Sequence, residues 1–132
     1  METPTLKKLL LELRKLNLPQ GKYAIFGSAP IAARGLRDCR DLDLVVNEEL
    51  WTELSNKFPG VAENPDKIII PGTAIELFKS WLPGFENVNE LITSAEMIDG
   101  IPFVNLENVR KWKTLMGREK DKVDLELLES IQ

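Results

Sequence analysis

The sequence predicts an α/β (α+β) fold in which helices pack on a mixed β-sheet. Short apolar runs typical of buried strands alternate along the chain with segments whose leucines recur at helical spacing. Some successive strands are joined by a tight turn and others by a helix, so antiparallel and parallel pairing must meet in one sheet. The 132 residues and their 43% hydrophobic content are typical of one domain, 1–132, with a core of its own.

An amphipathic helix is predicted for residues 1–20, ahead of the sheet. Its leucines follow Thr3–Pro4, which suits a helix start because proline is tolerated in the first turn. Asn17, Pro19 and Gly21 end the helix. The leucines at helical spacing are Leu6, Leu9, Leu10, Leu13 and Leu16.

Residues 22–104 are predicted to contain the sheet, and two of its turns are marked by glycine. Pro71–Gly72 separates two apolar runs, and Asp99–Gly100 forms the tight turn of a hairpin within residues 96–105. The other apolar runs that predict strands are 22–26, 41–46, 67–70 and 74–78.

Two helices between these strands are predicted from their capping residues. Ser28 caps a helix that Gly35 ends, and Asn47 caps a helix that Pro59–Gly60 closes. The apolar face of the second helix consists of Leu50, Trp51, Leu54 and Phe58.

The remaining helices follow the same logic. Asn87 and Glu90 form a capping pair at the start of a helix over 87–92. Residues 105–132 are predicted to form a C-terminal helical tail, in which Asn105 caps one helix and Gly117 ends it. The apolar positions of the final helix are Val123, Leu127, Leu128 and Ile131.

Composition excludes several kinds of active site. The chain has no histidine, which removes histidine-activated nucleophiles and histidine-bound zinc. Its single cysteine, Cys39, cannot form an internal disulfide or a cysteine zinc cage. The net charge of −4 confines any nucleic-acid contact to a local patch. No apolar run reaches the roughly 20 residues of a membrane span, so we expect a soluble, cytoplasmic protein without a membrane partner.

Two aspartates interrupt the apolar run at 41–46. Side chains alternate along a strand, so Asp41 and Asp43 point to one face with Cα atoms roughly 6.6 Å apart. Unpaired carboxylates at this spacing raise each other's pKa, which indicates that a cation sits between them. Glu76 is the other acidic residue inside an apolar strand, and it completes an oxygen cage suited to Mg²⁺.

A phosphate site is predicted just before these aspartates. Gly27–Ser28 follows a strand and opens a helix, and such turns present backbone N–H groups to anions. Arg34, Arg37 and Arg40 lie between the turn and the acidic strand, where they can neutralise a triphosphate. Turn, arginines and carboxylates together predict metal-bridged phosphoryl chemistry.

Each of these features also has a structural interpretation. A Gly-Ser pair before a helix is a common cap, surface arginines are usually solvated, and Asp-x-Asp at a strand end can serve turn capping or a salt bridge. Glu76 can pair with a lysine such as Lys79. The order and spacing of all three features together favour the functional interpretation.

The motifs resemble those of the nucleotidyltransferase superfamily, whose catalytic domain is of the DNA polymerase beta type. Phe26–Gly27–Ser28, twelve intervening residues, Asp41–Leu42–Asp43 and then Ile75–Glu76–Leu77 match its pattern in order. The stretch 33–46 is especially similar to small prokaryotic members, the minimal nucleotidyltransferases and the toxin-type enzymes of abortive-infection systems. The resemblance covers residues 22–131.

The C-terminal tail is also similar to that of the family. There, a helix carries a lysine and a Gly-Arg-x-Lys-Asp segment leads into an Asp-containing helix. By position the resemblance assigns Lys113, Arg118 and Lys120 to nucleotide binding and matches Asp121 to the helix aspartate.

The resemblance implies the nucleotidyltransferase fold and Mg²⁺-dependent transfer of a nucleoside monophosphate, for instance AMP, from an NTP to a hydroxyl group. Asp41, Asp43 and Glu76 are then the catalytic residues and bind two Mg²⁺ ions, for which Mn²⁺ is an alternative, with Glu76 as ligand or general base. Gly27 and Ser28 hold the β- and γ-phosphates. The acceptor stays open among small molecules, proteins and RNA. A toxin–antitoxin or defence role, and a partner protein or homo-oligomer, are further expectations from the resemblance.

Two alternatives from other classes stay open. The fold can serve as a catalytically inactive nucleotide- or metal-binding module. It can also serve as a protein-interaction module in which Trp51, Trp81 and Trp112 form core or interface.

Overall fold

The computed structural model describes residues 4–58 and 66–131, and within these ranges six helices surround a six-stranded sheet. The predicted features at Thr3 and Pro59–Gly60 lie outside the described residues. The helices are α1 (Pro4–Leu16), α2 (Ala29–Ala32), α3 (Glu48–Lys57), α4 (Asn89–Thr93), α5 (Leu106–Met116) and α6 (Glu119–Glu129). The strands are β1 (Tyr23–Phe26), β2 (Leu42–Val46), β3 (Lys67–Ile69), β4 (Ile75–Phe78), β5 (Glu96–Ile98) and β6 (Ile101–Phe103).

The sheet is mixed, as the sequence predicts. Its strand order is β3-β4-β2-β1-β6-β5. The β1–β2, β3–β4 and β5–β6 pairs are antiparallel, whereas β2–β4 and β1–β6 are parallel. Both parallel pairs are joined by long connections that contain at least one helix, as parallel pairing requires. β2 therefore lies in the interior of the sheet, between β1 and β4.

The two faces of the sheet carry separate hydrophobic cores. Leu42 and Leu44 of β2 belong to the core that also contains the buried leucines of α1 and α3. Val45 belongs to the opposite core, which α4, α5 and α6 complete. Because side chains alternate along a strand, Asp43 shares the face of Val45 and lies toward the helices of the C-terminal tail.

Several predicted local signals are present in the structure. The four leucines of α1 at positions 6, 9, 10 and 13 are buried. Asn47 and Asn105 cap α3 and α5 by accepting hydrogen bonds from the backbone N–H groups of Leu50 and Asn108. Gly117 ends α5 in the left-handed region. Among the described residues, none of the helices combines the length and the apolar character that crossing a membrane requires.

Two capping predictions are corrected by the structure. The predicted pairing of Asn87 with Glu90 does not form, because α4 begins at Asn89 and Val88 takes the N-cap position. The Asn87 side chain instead accepts a hydrogen bond from the backbone N–H of Asn89. Ser28 does occupy the N-cap of α2, but its side chain makes no capping hydrogen bond. Its hydroxyl is therefore not used in holding the helix.

The buried face of α6 also differs from the prediction. Val123 and Ile131 were expected to be apolar core positions, yet 56% and 43% of their surface is exposed. The buried residues of this helix are Asp121, Asp124 and Leu128. Two aspartates replace the expected aliphatic residues because a buried lysine of α5 lies opposite them, as described below.

Candidate active site

The three predicted carboxylates come from neighbouring strands at one end of the sheet. Asp43 of β2 is in register with Phe26 of β1 on one side and with Glu76 of β4 on the other. Asp41 lies immediately before β2 and is exposed. The parallel pairing of β2 with β4, rather than any single loop, places Glu76 beside Asp43.

The turn after β1 packs directly on Asp43. Gly27 has a φ of +70°, and a Cβ atom at this position would lie 2.7 Å from Oδ2 of Asp43. Only glycine combines this backbone conformation with so close an approach. Gly27 of the predicted phosphate turn and the predicted metal ligand Asp43 are therefore in contact. Because α2 has only four residues, its dipole is small. An anion at the turn would therefore be bound mainly by backbone N–H groups.

The aspartates carry more negative charge than their surroundings compensate. Burial, together with the charges of Asp41 and Glu76, raises the pKa of Asp43 to about 7. Partial desolvation of the otherwise exposed Asp41, together with the charge of Glu76, also raises the pKa of Asp41. Lys67 opposes both shifts, but the net direction stays upward. An added cation would remove this electrostatic penalty.

Glu76 is not free to complete a three-carboxylate cage. Its Oε1 lies 3.0 Å from Nζ of Lys67 on the edge strand β3. Lys79, which the sequence offered as an example of a partner, pairs with Asp66 instead. Within residues 4–58 and 66–131, no group of three or more acidic, histidine or cysteine side chains is arranged to hold a metal ion.

A cavity of ≈350 Å³ opens beside Asp41 and Asp43, and its walls carry opposite charges. Gly27 and Ser28 line it next to the aspartates. Glu76, on the far side of Asp43, is not part of its wall. The four cationic side chains that line the cavity are Arg37, Lys113, Arg118 and Lys120.

A buried ion network fixes this cationic wall. Lys113 is only 2% exposed, and its Nζ lies 2.9 Å from Oδ2 of Asp124 and 3.5 Å from Oδ1 of Asp121. The second oxygen of Asp124 accepts a hydrogen bond from Nη1 of Arg37 at 2.8 Å. Arg118 donates to both oxygens of Asp121. Burial raises the pKa of Asp121, but the Arg118 hydrogen bonds and the charge of Lys113 outweigh it and hold that pKa below its ordinary value.

Two of the predicted arginines lie outside the cavity. Arg34 forms an ion pair with Glu96 of β5, at the opposite edge of the sheet from Glu76. Arg40 is exposed and does not line the cavity, although its charge lowers the pKa of the adjacent Asp41. Of the three arginines in the connection, only Arg37 reaches the cavity wall.

Sequence reasoning missed Asp124 and Lys67, and it assigned Trp81 and Trp112 to core or interface rather than to the lining of the cavity. Trp81 and Trp112 both line it, and their rings pack on Phe26, the residue before the turn. Asp121 and Asp124 are three residues apart, with Leu128 four further on, a spacing that puts all of them on one helix face. That spacing was the available signal for a charged inner face.

The pair Asp41 and Asp43 fits a hard divalent cation. Carboxylate oxygens are the ligands that Mg²⁺ prefers, and one or two of them usually suffice when phosphate oxygens supply the rest. The uncompensated charge of this pair is what such an ion would neutralise. Lys113, Arg118 and Arg37 also line the cavity, and such side chains can bind phosphate groups.

Comparison with known proteins supports the fold. No family model matches the chain, and no curated protein matches it. Among solved structures, the chain is similar to the crystal structure of a "putative nucleotidyltransferase" from Thermotoga maritima, with a TM-score of 0.61. Sequence identity is 19%, and the match covers 100% of this chain and 97% of that one. The chain therefore has a nucleotidyltransferase-like fold, which confirms the predicted fold class.

Proposed function

We propose that the chain is a Mg²⁺-dependent nucleotidyltransferase. It transfers a nucleoside monophosphate from an NTP to a hydroxyl group of an acceptor and releases pyrophosphate. The observation that carries the proposal is the contact between the Gly27 turn and Asp43 inside a cavity whose opposite wall is cationic. Phosphoryl transfer needs these three components within reach of one substrate. The fold likeness to the Thermotoga protein supports the same reaction class.

The aspartates have the metal-binding role in this proposal. Asp41 and Asp43 hold Mg²⁺, or Mn²⁺ in its place, in a two-ion site to which Glu76 contributes as ligand or general base. The bound ions supply charge neutralisation and lower the pKa of the acceptor hydroxyl. Gly27 keeps the space beside Asp43 open, because any larger residue would displace its carboxylate.

The cationic wall has the nucleotide-binding role. Lys113 is held by two buried aspartates, so its ammonium group is fixed before the substrate binds and loses little entropy on binding. Arg37 and Arg118 are each held by one of the same aspartates. Lys120 is exposed and adds a further positive charge to the cavity wall. Together with the N–H groups of the Gly27–Ser28 turn, these residues bind the triphosphate and stabilise the leaving pyrophosphate.

The finer features of the proposal come from the sequence resemblance. They are AMP as the transferred group, a small-molecule, protein or RNA hydroxyl as acceptor, and a cytoplasmic toxin–antitoxin or defence role. The resemblance also supports a protein partner or a second copy of the chain. It further supports membership among the small prokaryotic nucleotidyltransferases. Arg34 and Arg40 enter as additional phosphate contacts, although both lie outside the cavity wall.

Binding and transfer can be tested separately. We expect each productive NTP to raise the Tm of the wild type only when Mg²⁺ is also present, and to have no effect on Asp43→Asn. Glu126→Gln, an exposed change on α6, serves as the control and should respond like the wild type. Absence of a shift with all four NTPs would contradict nucleotide binding.

Transfer is tested with NTPs labelled at the α-phosphate and incubated with cell extract. Label should appear on a protein, an RNA or a small molecule in the presence of Mg²⁺. It should disappear in the double variant Asp41→Ala/Asp43→Ala. Label that persists in the double variant would show that another site, or a contaminant, performs the reaction.

The ion pair between Lys67 and Glu76 favours a second candidate, a nucleotide-binding module without catalytic activity. Such a module binds Mg²⁺ and NTP at Asp41 and Asp43 but leaves Glu76 engaged with lysine. The two assays distinguish the candidates. A positive Tm shift with Mg²⁺ and NTP, together with no transfer in any extract fraction, would indicate the binding module rather than the enzyme.

A further inference from the structure

The ammonium group of Lys67 lies where its charge acts on all three carboxylates, those of Asp41, Asp43 and Glu76. Lys67 is directly opposite Phe78 in the β3–β4 pair, and Glu76 is directly opposite Ile69, so Lys67 and Glu76 are diagonal neighbours on one face of the sheet. A lysine side chain spans this diagonal distance. Its Nζ lies 3.0 Å from Glu76 and also over the ring of Phe78, 5.8 Å from the centroid.

The position of this pair next to Asp43 distinguishes it from an ordinary surface ion pair. Glu76 is in register with Asp43, and both Lys67 and Glu76 are only 26% exposed. Each of the three carboxylates is therefore influenced by the same ammonium group. A divalent cation at Asp41 and Asp43 would have to bind close to a fixed positive charge, and it would compete with that charge for Glu76.

We propose that Lys67 is a positioning residue that holds Glu76 out of the metal site, so that the chain without nucleotide binds a divalent cation through Asp41 and Asp43 alone. The inference rests on the proposed function, since it concerns the same metal site. Glu76 becomes a third ligand only when the Lys67 ammonium group moves away. The resident lysine thereby keeps the affinity for the free ion low.

The experiment uses Mn²⁺ as the probe and measures the free ion by its EPR signal during titration of the full chain. Lys67→Met removes the charge and keeps the length of the side chain. Lys79→Met is the matched control, because Lys79 also forms an ion pair, with Asp66, and also lies over an aromatic ring, that of Trp51. Glu76→Gln and the double variant Lys67→Met/Glu76→Gln complete the cycle, and a Tm measurement without metal verifies that each variant is folded.

We expect Lys67→Met to lower the Kd for Mn²⁺ by about tenfold or more, because removing a nearby positive charge strengthens the attraction of the site for a divalent ion. Lys79→Met should leave the Kd within about twofold of the wild type, since a distant exposed charge is screened. Glu76→Gln should weaken Mn²⁺ binding much more in the Lys67→Met background than in the wild type. This coupling is the signature of a glutamate that lysine keeps away from the metal.

Several outcomes would overturn the inference. The first is a Lys67→Met effect no larger than that of Lys79→Met. The second is a Glu76→Gln effect that is equally large in both backgrounds, because Glu76 would then already be a ligand in the wild type. If the wild type binds Mn²⁺, Asp43→Asn abolishes binding and Lys67→Met changes nothing, the inference fails and the proposed function stands. If no variant binds Mn²⁺, the inference fails, and the Tm shift with Mg²⁺ and NTP tests the proposed function separately. Measurable binding by Lys67→Met, with wild-type binding too weak to measure, supports the inference because it is the limit of the low wild-type affinity that the lysine imposes.

Discussion

The two walls of the cavity differ in how their charges are compensated. On the helical wall, the buried side chains of Lys113, Asp121 and Asp124 are joined by ion pairs within the protein. On the strand wall, neither Asp41 nor Asp43 has an ion-pair partner within 4 Å among the described residues, and the pKa of each is raised.

The difference separates a scaffold from a binding site. Buried charges that satisfy one another hold α5 and α6 together and fix the orientation of the cationic side chains. Carboxylates that lack compensation make the free protein less stable and favour whatever cation arrives. Substitutions in the ion network of the helical wall should therefore lower stability, whereas neutralising Asp41 or Asp43 on the strand wall should raise stability and remove cation binding. The following predictions test this contrast, beginning with the largest effect.

Lys113→Met should have the largest effect. It leaves the buried carboxylates of Asp121 and Asp124 with a single cationic partner each, and breaking a buried ion network by removing one member typically costs about 3–5 kcal/mol. Urea unfolding measures the loss. Lys111→Met, an exposed lysine on the same helix, is the control and should change the unfolding free energy by less than about 1 kcal/mol. Equal losses in the two variants would show that the network is not a stabilising unit.

Gly27→Ala should be next in size. An alanine at a φ of +70° costs about 1–2 kcal/mol, and its Cβ would lie 2.7 Å from Oδ2 of Asp43, so we expect a total of about 2–3 kcal/mol and weaker Mg²⁺ binding. Gly72→Ala is a matched control, because Gly72 has a φ of +76° and no atom within 4 Å of the added Cβ. It should show only the conformational cost. Mg²⁺-dependent Tm shifts that are equal in both variants would contradict the role of Gly27.

Asp43→Asn should stabilise the metal-free protein at high pH. The pKa of Asp43 is raised to about 7 from an ordinary value of 3.8, chiefly by burial and by Asp41 and Glu76, with Lys67 and Lys113 opposing. Because the pKa is higher in the folded protein than in the unfolded chain, protonation of Asp43 stabilises the folded state. This stabilisation is complete below the unfolded-state pKa of 3.8 and is lost as the pH rises through the folded-state pKa of about 7. Asparagine imitates the neutral form at all pH values. The full shift corresponds to about 4 kcal/mol, and solvent screening of this half-buried side chain reduces it. In EDTA the variant should therefore exceed the wild type by about 2 kcal/mol at pH 8, and the gain should vanish near pH 4.

Addition of Mg²⁺ provides the control for this pH dependence. The ion should stabilise the wild type at pH 8 and leave Asp43→Asn unchanged, which reduces the difference between their free energies of unfolding. Guanidinium unfolding curves at pH 4, 6 and 8, with EDTA or Mg²⁺, contain the complete comparison. A stability difference that is independent of pH would mean that the Asp43 carboxylate is compensated in a way the structure does not show.

The strand wall could largely be predicted from sequence, whereas the helical wall could not. Asp41 and Asp43 stand out because charge is rare in an apolar strand, and the period of two fixes their common face. Neighbouring strands then bring Glu76 beside them once the sheet order is known. These signals are local, and the Gly27 turn lies within the same short stretch.

Partners that are distant in sequence explain what was missed. Asp124 bonds to Arg37, 87 positions away, and to Lys113 on another helix, so the spacing that places it on one face with Asp121 and Leu128 could not identify its partners. The inner face of α6 was predicted from hydrophobicity alone. Val123 and Ile131 were therefore expected in the core, but both are exposed. Similarly, the pairing of Lys67 rather than Lys79 with Glu76 depends on the register of β3 against β4.

The smallest expected effect is a difference in NTP affinity between substitutions of Arg37 and Arg34, which the sequence alone cannot distinguish. Arg37 lines the cavity and is held by Asp124, whereas Arg34 is paired with Glu96 near the opposite edge of the sheet. Under the proposed function, Arg37→Met should weaken binding of an Mg²⁺-bound NTP by about tenfold, which corresponds to about 1.4 kcal/mol. Arg34→Met should leave it within about twofold. Quenching of the fluorescence of Trp81 and Trp112, which line the same cavity, measures both affinities. Equal weakening by the two substitutions would mean that the phosphates contact the connection between α2 and β2 along its length. In that case, lining the cavity would not distinguish the arginines that bind phosphate from those that do not.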